Sequence, residues 1–189
     1  MNAITPATVV PAAQPLPCAL PADTAPAILA AAGLLLPRLE RGERVDAAAL
    51  RDVMEAAFGA SDAAGAWDWK LAYEAGEAAT VLFLRKYGRA LFRTAPSPIG
   101  RLTLLSKIAG LLPAQTRRSE EAQALQQFST PLPLGLAALT AAAVTPADRV
   151  LEPSAGTGLL AILALQLRFR VLSPAVCCVG LTPSTSPVG

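Results

Sequence analysis

The sequence predicts a mainly α N-terminal region followed by the start of an α/β fold, and three observations predict it. Alanine dominates the 189 residues, aromatics make up only 5%, and 17 prolines punctuate the chain. Such a composition favours helices joined by proline-marked turns over a core of small side chains. Apolar residues then recur at helical spacing through residues 40–126. From Arg149 the pattern changes: Val150 and Leu151 lead into Glu152 and Pro153, a small-residue loop carries Gly156 and Gly158, and an apolar run from Leu159 to Leu167 follows. That order is strand, tight turn, helix.

Residues 1–39 read as a disordered Ala/Pro-rich leader with a short helix. Asp23 is the single charge in residues 1–26, and no basic stretch precedes an apolar one, so the leader does not read as a signal peptide. The apolar run Ala27 to Leu36 is bounded by Pro26 and Pro37, far short of the roughly 20 residues a membrane span requires.

The helical region, 40–126, opens on a clear signal. Leu50, Val53, Met54, Ala57 and Phe58 share one helical face, with Asp46 placed as an N-cap and Gly59 just past the end. A second helix is expected from Ser61 or Asp62 through Trp67, Leu71, Ala75, Ala78 and Leu82 to about Tyr87, with Gly88 as its stop. Trp67 and Trp69 read as core anchors rather than base-stacking platforms. Ser97-Pro98 supplies an N-cap and a first-turn proline, and Leu102, Leu105, Ala109 and Leu112 form a stripe that Pro113 ends. Ser119 caps a further short helix, Glu120 to Gln127. After Pro131 and Pro133 break the chain, Leu134 to Val144 resume as a helix, and Thr145-Pro146-Ala147-Asp148 turns into the strand at Arg149.

Charge divides the chain. Residues 38–77 carry five Lys/Arg against nine Asp/Glu, whereas residues 78–119 carry eight basic residues, Arg85, Lys86, Arg89, Arg93, Arg101, Lys107, Arg117 and Arg118, and no acid. The two blocks pair with each other, or the basic one forms solvated helix faces, or it presents a phosphate-facing surface to DNA. The absence of histidine removes Ser-His-Asp hydrolysis, Cys-His proteolysis and histidine-based metal sites. Cys18, Cys177 and Cys178 match neither a disulfide framework nor a metal-ligand spacing, so no metal is expected and the cysteines read as reduced thiols of a cytoplasmic protein.

The glycine-rich loop suits a nucleotide-like ligand. Glycine tolerates φ > 0 and lets backbone N–H groups approach closely, and the following helix points its positive end at the guest. Gly156-x-Gly158-x-x-Ala161 fits a dinucleotide fingerprint, but that fingerprint expects a ribose-binding acid further on, and Glu152 is the last acid of the chain. No lysine follows Gly158, which excludes a Walker loop, and no Gly-x-Ser-x-Gly elbow exists.

Leu151-Glu152-Pro153-Ser154-Ala155-Gly156-Thr157-Gly158 resembles the first motif of class I S-adenosylmethionine-dependent methyltransferases, in the form typical of DNA adenine-N6 methylases. Phe128-Ser129-Thr130-Pro131 resembles that family's other cofactor motif, upstream of the first strand. The wider stretch Gln126 to Ile162 resembles bacterial methylase/helicase proteins related to strawberry notch. The resemblance implies a Rossmann-like fold that begins in residues 127–167 and is incomplete here. It also implies S-adenosylmethionine as cofactor. The amides from Ser154 to Gly158 would receive its carboxylate, Glu152 would approach its ammonium, and Thr130 and Phe128 would close the pocket. The family's Asn/Asp-Pro-Pro-aromatic loop, which holds the flipped base, has no counterpart in the sequence. We therefore expect a truncated or frame-shifted product with residues 168–189 as an atypical disordered tail, unable to catalyse alone; a natural short homologue with a second strand in 168–180 is the alternative. A rival reading makes residues 40–126 a basic helical module for nucleic acid or a partner, with a vestigial cofactor motif.

Overall fold

The computed structural model describes residues 24–116, 129–145, 147–152 and 156–167, together with the backbone of 170–172. Within these residues the chain is mainly helical. Helix α1, Thr24–Glu40, buries Ile28, Ala31, Ala32, Leu35 and Leu39. The sequence reading shortened this helix and placed it in a leader; it is instead a core element. Pro26 falls in the first turn, where an amide has no intrahelical acceptor to lose, and Pro37 falls near the end, where the missing N–H costs one bond. Burial of the leucine stripe against α3 outweighs that loss.

Helix α2, Ala47–Phe58, is as its caps dictate. The Asp46 carboxylate accepts from the Ala49 amide at 2.8 Å, and Gly59 closes the helix in the left-handed region. A single 3₁₀ turn, Asp62–Ala64, follows under a Ser61 cap. Trp67 therefore lies in a connector rather than in a helix. It is 3% exposed, donates its Nε1–H to the Ala60 carbonyl at 3.0 Å, and meets the Trp69 ring edge to face.

Helix α3, Trp69–Thr94, is the centre of the molecule. Asp68 caps it, and its small residues Ala72, Ala75, Gly76, Ala78 and Ala79 let neighbours close in on several sides. It starts later and ends later than the spacing suggested, passing through Gly88 without a break. Gly88 is buried, and a Cβ there would stand 2.8 Å from the Gln166 side chain. Its task is close helix approach, not termination.

Helix α4, Pro98–Ala109, begins under the Ser97 cap with proline in its first turn, and buries Leu105 and Ile108. Ala109, expected on that stripe, is exposed. The turn after α4 is clasped to the α1–α2 connector, where the Val45 amide donates to the Leu111 carbonyl at 2.7 Å. The short helix expected over 120–127 lies outside the described residues.

Helix α5, Leu132–Ala141, includes Pro133 in its first turn instead of starting after it. Strand β1, Arg149–Leu151, helix α6, Leu159–Gln166, and strand β2, Arg170–Leu172, complete the described chain. The strands pair in parallel, Val150 opposite Val171. Two three-residue strands make a ladder, and a Rossmann-like sheet is not shown. The second strand also takes residues that the sequence reading assigned to a disordered tail, as its alternative had it; residues 173–189 lie outside the described part.

Candidate functional site

The glycine-rich turn links β1 to α6. Glu152 is half-buried at the end of the strand; Pro153, Ser154 and Ala155 lie outside the described residues. Gly156 has φ +51° and Gly158 φ +86°, conformations that side-chain-bearing residues rarely adopt. Nothing stands within 4 Å of where a Cβ on Gly156 would sit, so that side of Gly156 is open. Gly158 is the N-cap of α6, and no side chain caps that helix. Its first amides lie at the positive end of the helix dipole.

Two glycines fix where α6 lies. Gly88 admits Gln166 against α3, and Gly135 admits α5, since a Cβ on Gly135 would stand 2.5 Å from Leu160 Cδ2 and 3.1 Å from Leu163 Cδ1. Gly135 is in the first turn of α5, and Leu160 is in the first turn of α6. The N-terminal ends of the two helices thus meet. The chain enters α5 through Ser129, Thr130 and Pro131, and enters α6 through Gly156 to Gly158. Thr130 is half-buried, while Ser129 and Pro131 are exposed. Phe128 falls outside the described residues.

Sequence reasoning missed Glu77. Its Oε2 accepts from the Thr157 hydroxyl at 2.9 Å, and its Oε1 accepts from Gln115 Nε2 at 2.6 Å. An acid in the middle of Ala75-Gly76-Glu77-Ala78-Ala79, where α3 is packed on several sides, was the available signal. Below the turn, Asp148 accepts from both the amide and the hydroxyl of Thr145 at 2.8 Å, and these bonds hold its carboxyl below the usual aspartate range.

The basic residues scatter. Lys86 bonds Glu40 at 2.7 Å, joined by the Tyr87 hydroxyl at 3.1 Å, which holds the Glu40 carboxyl low and the Lys86 ammonium high. This pair joins the acidic and basic blocks, one of the outcomes foreseen. Arg85 and Lys107 sit exposed on α3 and α4, and Arg117 and Arg118 are outside the described residues. Arg89, Arg93 and Arg101 alone converge, around a surface cavity of about 400 Å³ that Phe92 and Gln166 also line. Arg101 is held there by its Nε–H on the Ala95 carbonyl at 3.0 Å and by the Phe92 ring. This cavity lies at the C-terminal end of α6, about 12 Å along the helix from the glycine-rich turn.

Among the described residues no cluster of three His, Cys, Asp or Glu stands ready for a metal, and no helix is long and apolar enough to cross a membrane. Comparison with protein-family models, with curated proteins and with solved structures finds no match.

Proposed function

We propose that residues 127–167 are the S-adenosylmethionine-binding opening of a DNA methyltransferase-like protein of the adenine-N6 type, the N-terminal part of a methylase/helicase related to strawberry notch. The observation that supports the reading is the contact of α5 with α6 near their first turns, Gly135 against Leu160, since each helix directly follows one of the stretches that resemble cofactor motifs. The groups present fit such a guest: a turn open at Gly156, a helix N-terminus that begins at Gly158 without a side-chain cap, and an acid, Glu152, at the strand end. The amides of Gly156 to Leu159 receive the carboxylate, Glu152 faces the ammonium, and Thr130 closes the pocket beside α5.

The cofactor supplies a sulfonium methyl group open to in-line attack by a nucleophile. What this chain contributes is binding and orientation. A base-holding Pro-Pro-aromatic loop is missing from its sequence, so the reading is one of cofactor binding, in a cytoplasmic setting, without methyl transfer by this chain alone.

Calorimetric titration with S-adenosylmethionine tests it. Saturable binding that Gly156→Ala weakens by about five- to thirtyfold is expected, because alanine at φ +51° strains the turn by about 1–2 kcal/mol. Absence of binding to the wild-type chain would sink the reading.

One observation favours DNA as the macromolecular partner. Arg89, Arg93 and Arg101 surround one cavity, and no acid is among the described residues that line it. In anisotropy titrations with a labelled duplex, Arg89→Ala and Arg93→Ala should each reduce the slope of log affinity against log salt by about one. Unchanged slopes would assign these arginines to solvent.

A further inference from the structure

We propose that Glu77 is the positioning residue of the glycine-rich turn, through which the helical region sets the geometry of the ligand site. The inference rests on the cofactor-binding reading above and adds a regulatory link to it. It starts from two bonds made by one half-buried carboxylate: Thr157 Oγ to Oε2 at 2.9 Å and Gln115 Nε2 to Oε1 at 2.6 Å. Thr157 lies between the two glycines with positive φ, and Gln115 lies on the connection that leads from α4 toward Ser129 and Thr130. A single acid of α3 therefore ties the glycine-rich turn to the segment that follows α4.

Gly156 and Gly158 give the turn a backbone with wide conformational freedom, and the N-cap of α6 supplies no side-chain bond to fix its first turn. Glu77 itself is placed firmly, since its neighbours Gly76 and Ala78 are buried in the long central helix. A hydrogen bond to an ionised acceptor is also stronger than a neutral one. Thr157 is thus held to the bundle rather than turned toward the guest, and its backbone amide is presented in a fixed direction. By linkage, a ligand that needs this arrangement must tighten the Glu77 contact in return.

Three variants test the proposal: Glu77→Ala, Thr157→Val and Glu77→Gln. The first readout needs no ligand. Amide hydrogen exchange at Gly156 to Leu160 should speed up about tenfold in Glu77→Ala and in Thr157→Val, and the double variant should add little to either, because both remove the same bond. The isosteric Glu77→Gln keeps a carbonyl oxygen for Thr157 and should restore exchange to within about threefold of the parent. The second readout is S-adenosylmethionine affinity, expected to fall about tenfold in Glu77→Ala and to recover in Glu77→Gln. Additive exchange effects, or no effect, overturn the latch. If exchange couples as stated while the parent chain does not bind S-adenosylmethionine, the latch stands and the cofactor reading fails.

Discussion

The helical region and the segment that leans on it are built on opposite terms. Residues 24–112 combine side-chain caps at Asp46, Ser61, Asp68 and Ser97 with large buried side chains, among them Leu35, Leu39, Leu50, Met54 and Leu84. Neither α5 nor α6 has a side-chain cap, and the two helices are 10 and 8 residues long. Helices so short are not stable by themselves. They persist because Gly88 and Gly135 allow α6 to press into α3 and α5, placing Leu159, Ile162 and Leu163 in the same core as the bundle. Rigidity is local in the first region and borrowed in the second. A ligand site built on the borrowed part can be adjusted without unfolding the whole.

The largest effects should come from the part that lends its rigidity. Leu35 is fully buried on α1, which makes its main contact with α3. Leu35→Ala removes several buried carbons from a site with little freedom to collapse, at a cost of about 2–5 kcal/mol. Urea unfolding should show one shifted transition, with both regions lost together. A transition that splits, leaving the bundle intact, would break the comparison.

Next in size is the contact that joins the regions. Gly135→Val forces a branched side chain into space already held by Leu160 and Leu163, costing about 1–3 kcal/mol. Here the effect should be confined. Exchange protection along α6 should drop while that of α1 and the centre of α3 stays, and any S-adenosylmethionine affinity should fall with it. Equal loss throughout would mean that α6 belongs to the bundle on the same footing as α1.

Smaller again is a cap. Asp46→Ala leaves the Ala49 amide without its acceptor, at a cost of about 1 kcal/mol. Asp46→Asn should recover most of it, which a thermal melt can read.

The same contrast decides what the sequence could reveal. Caps act over three residues, so Asp46 and Ser97 identify their helix starts directly, and the apolar spacing of Leu50, Val53 and Met54 gives the buried face of α2. Strand, glycine turn and helix from Arg149 were legible for the same reason. Gly88 was misread as a stop because its role depends on Gln166, a residue 78 positions away (166 minus 88). The extent of α1 was misread because prolines at helix ends are harmless once the leucine stripe finds α3. Glu77 and Thr157 are 80 residues apart, and no local pattern joins them. Of the stretch that resembles the upstream motif, the residue types were legible, whereas the packing of the helix that follows it depended on what fits against Gly135.

The smallest effect separates the regions by the sign of a proton linkage. Glu74, on α3, has its carboxyl pushed above the usual glutamate range, chiefly by burial, with Lys70 opposing and Glu77 and Asp68 adding to the rise. A group whose pKa is raised on folding favours the folded state when protonated. Its contribution is therefore complete below the unfolded value of about 4.3 and is lost as pH climbs through the raised one. Glu74→Gln removes that loss and should raise the melting temperature at pH 7 by about 2 °C or less, since the side chain is still partly in water. At pH 3.5 the variant and the parent should coincide. Asp148 runs the other way: its carboxyl is held low by the Thr145 amide and hydroxyl, so its contribution is present above the ordinary aspartate range and disappears as pH falls through the lowered value. Acid should accordingly loosen the Thr145 to Asp148 turn while relieving the strain at Glu74. Exchange rates measured at pH 3 and pH 6, corrected for intrinsic chemistry, should show β1 losing protection relative to α3. A uniform change in both would mean that the two regions share one electrostatic response.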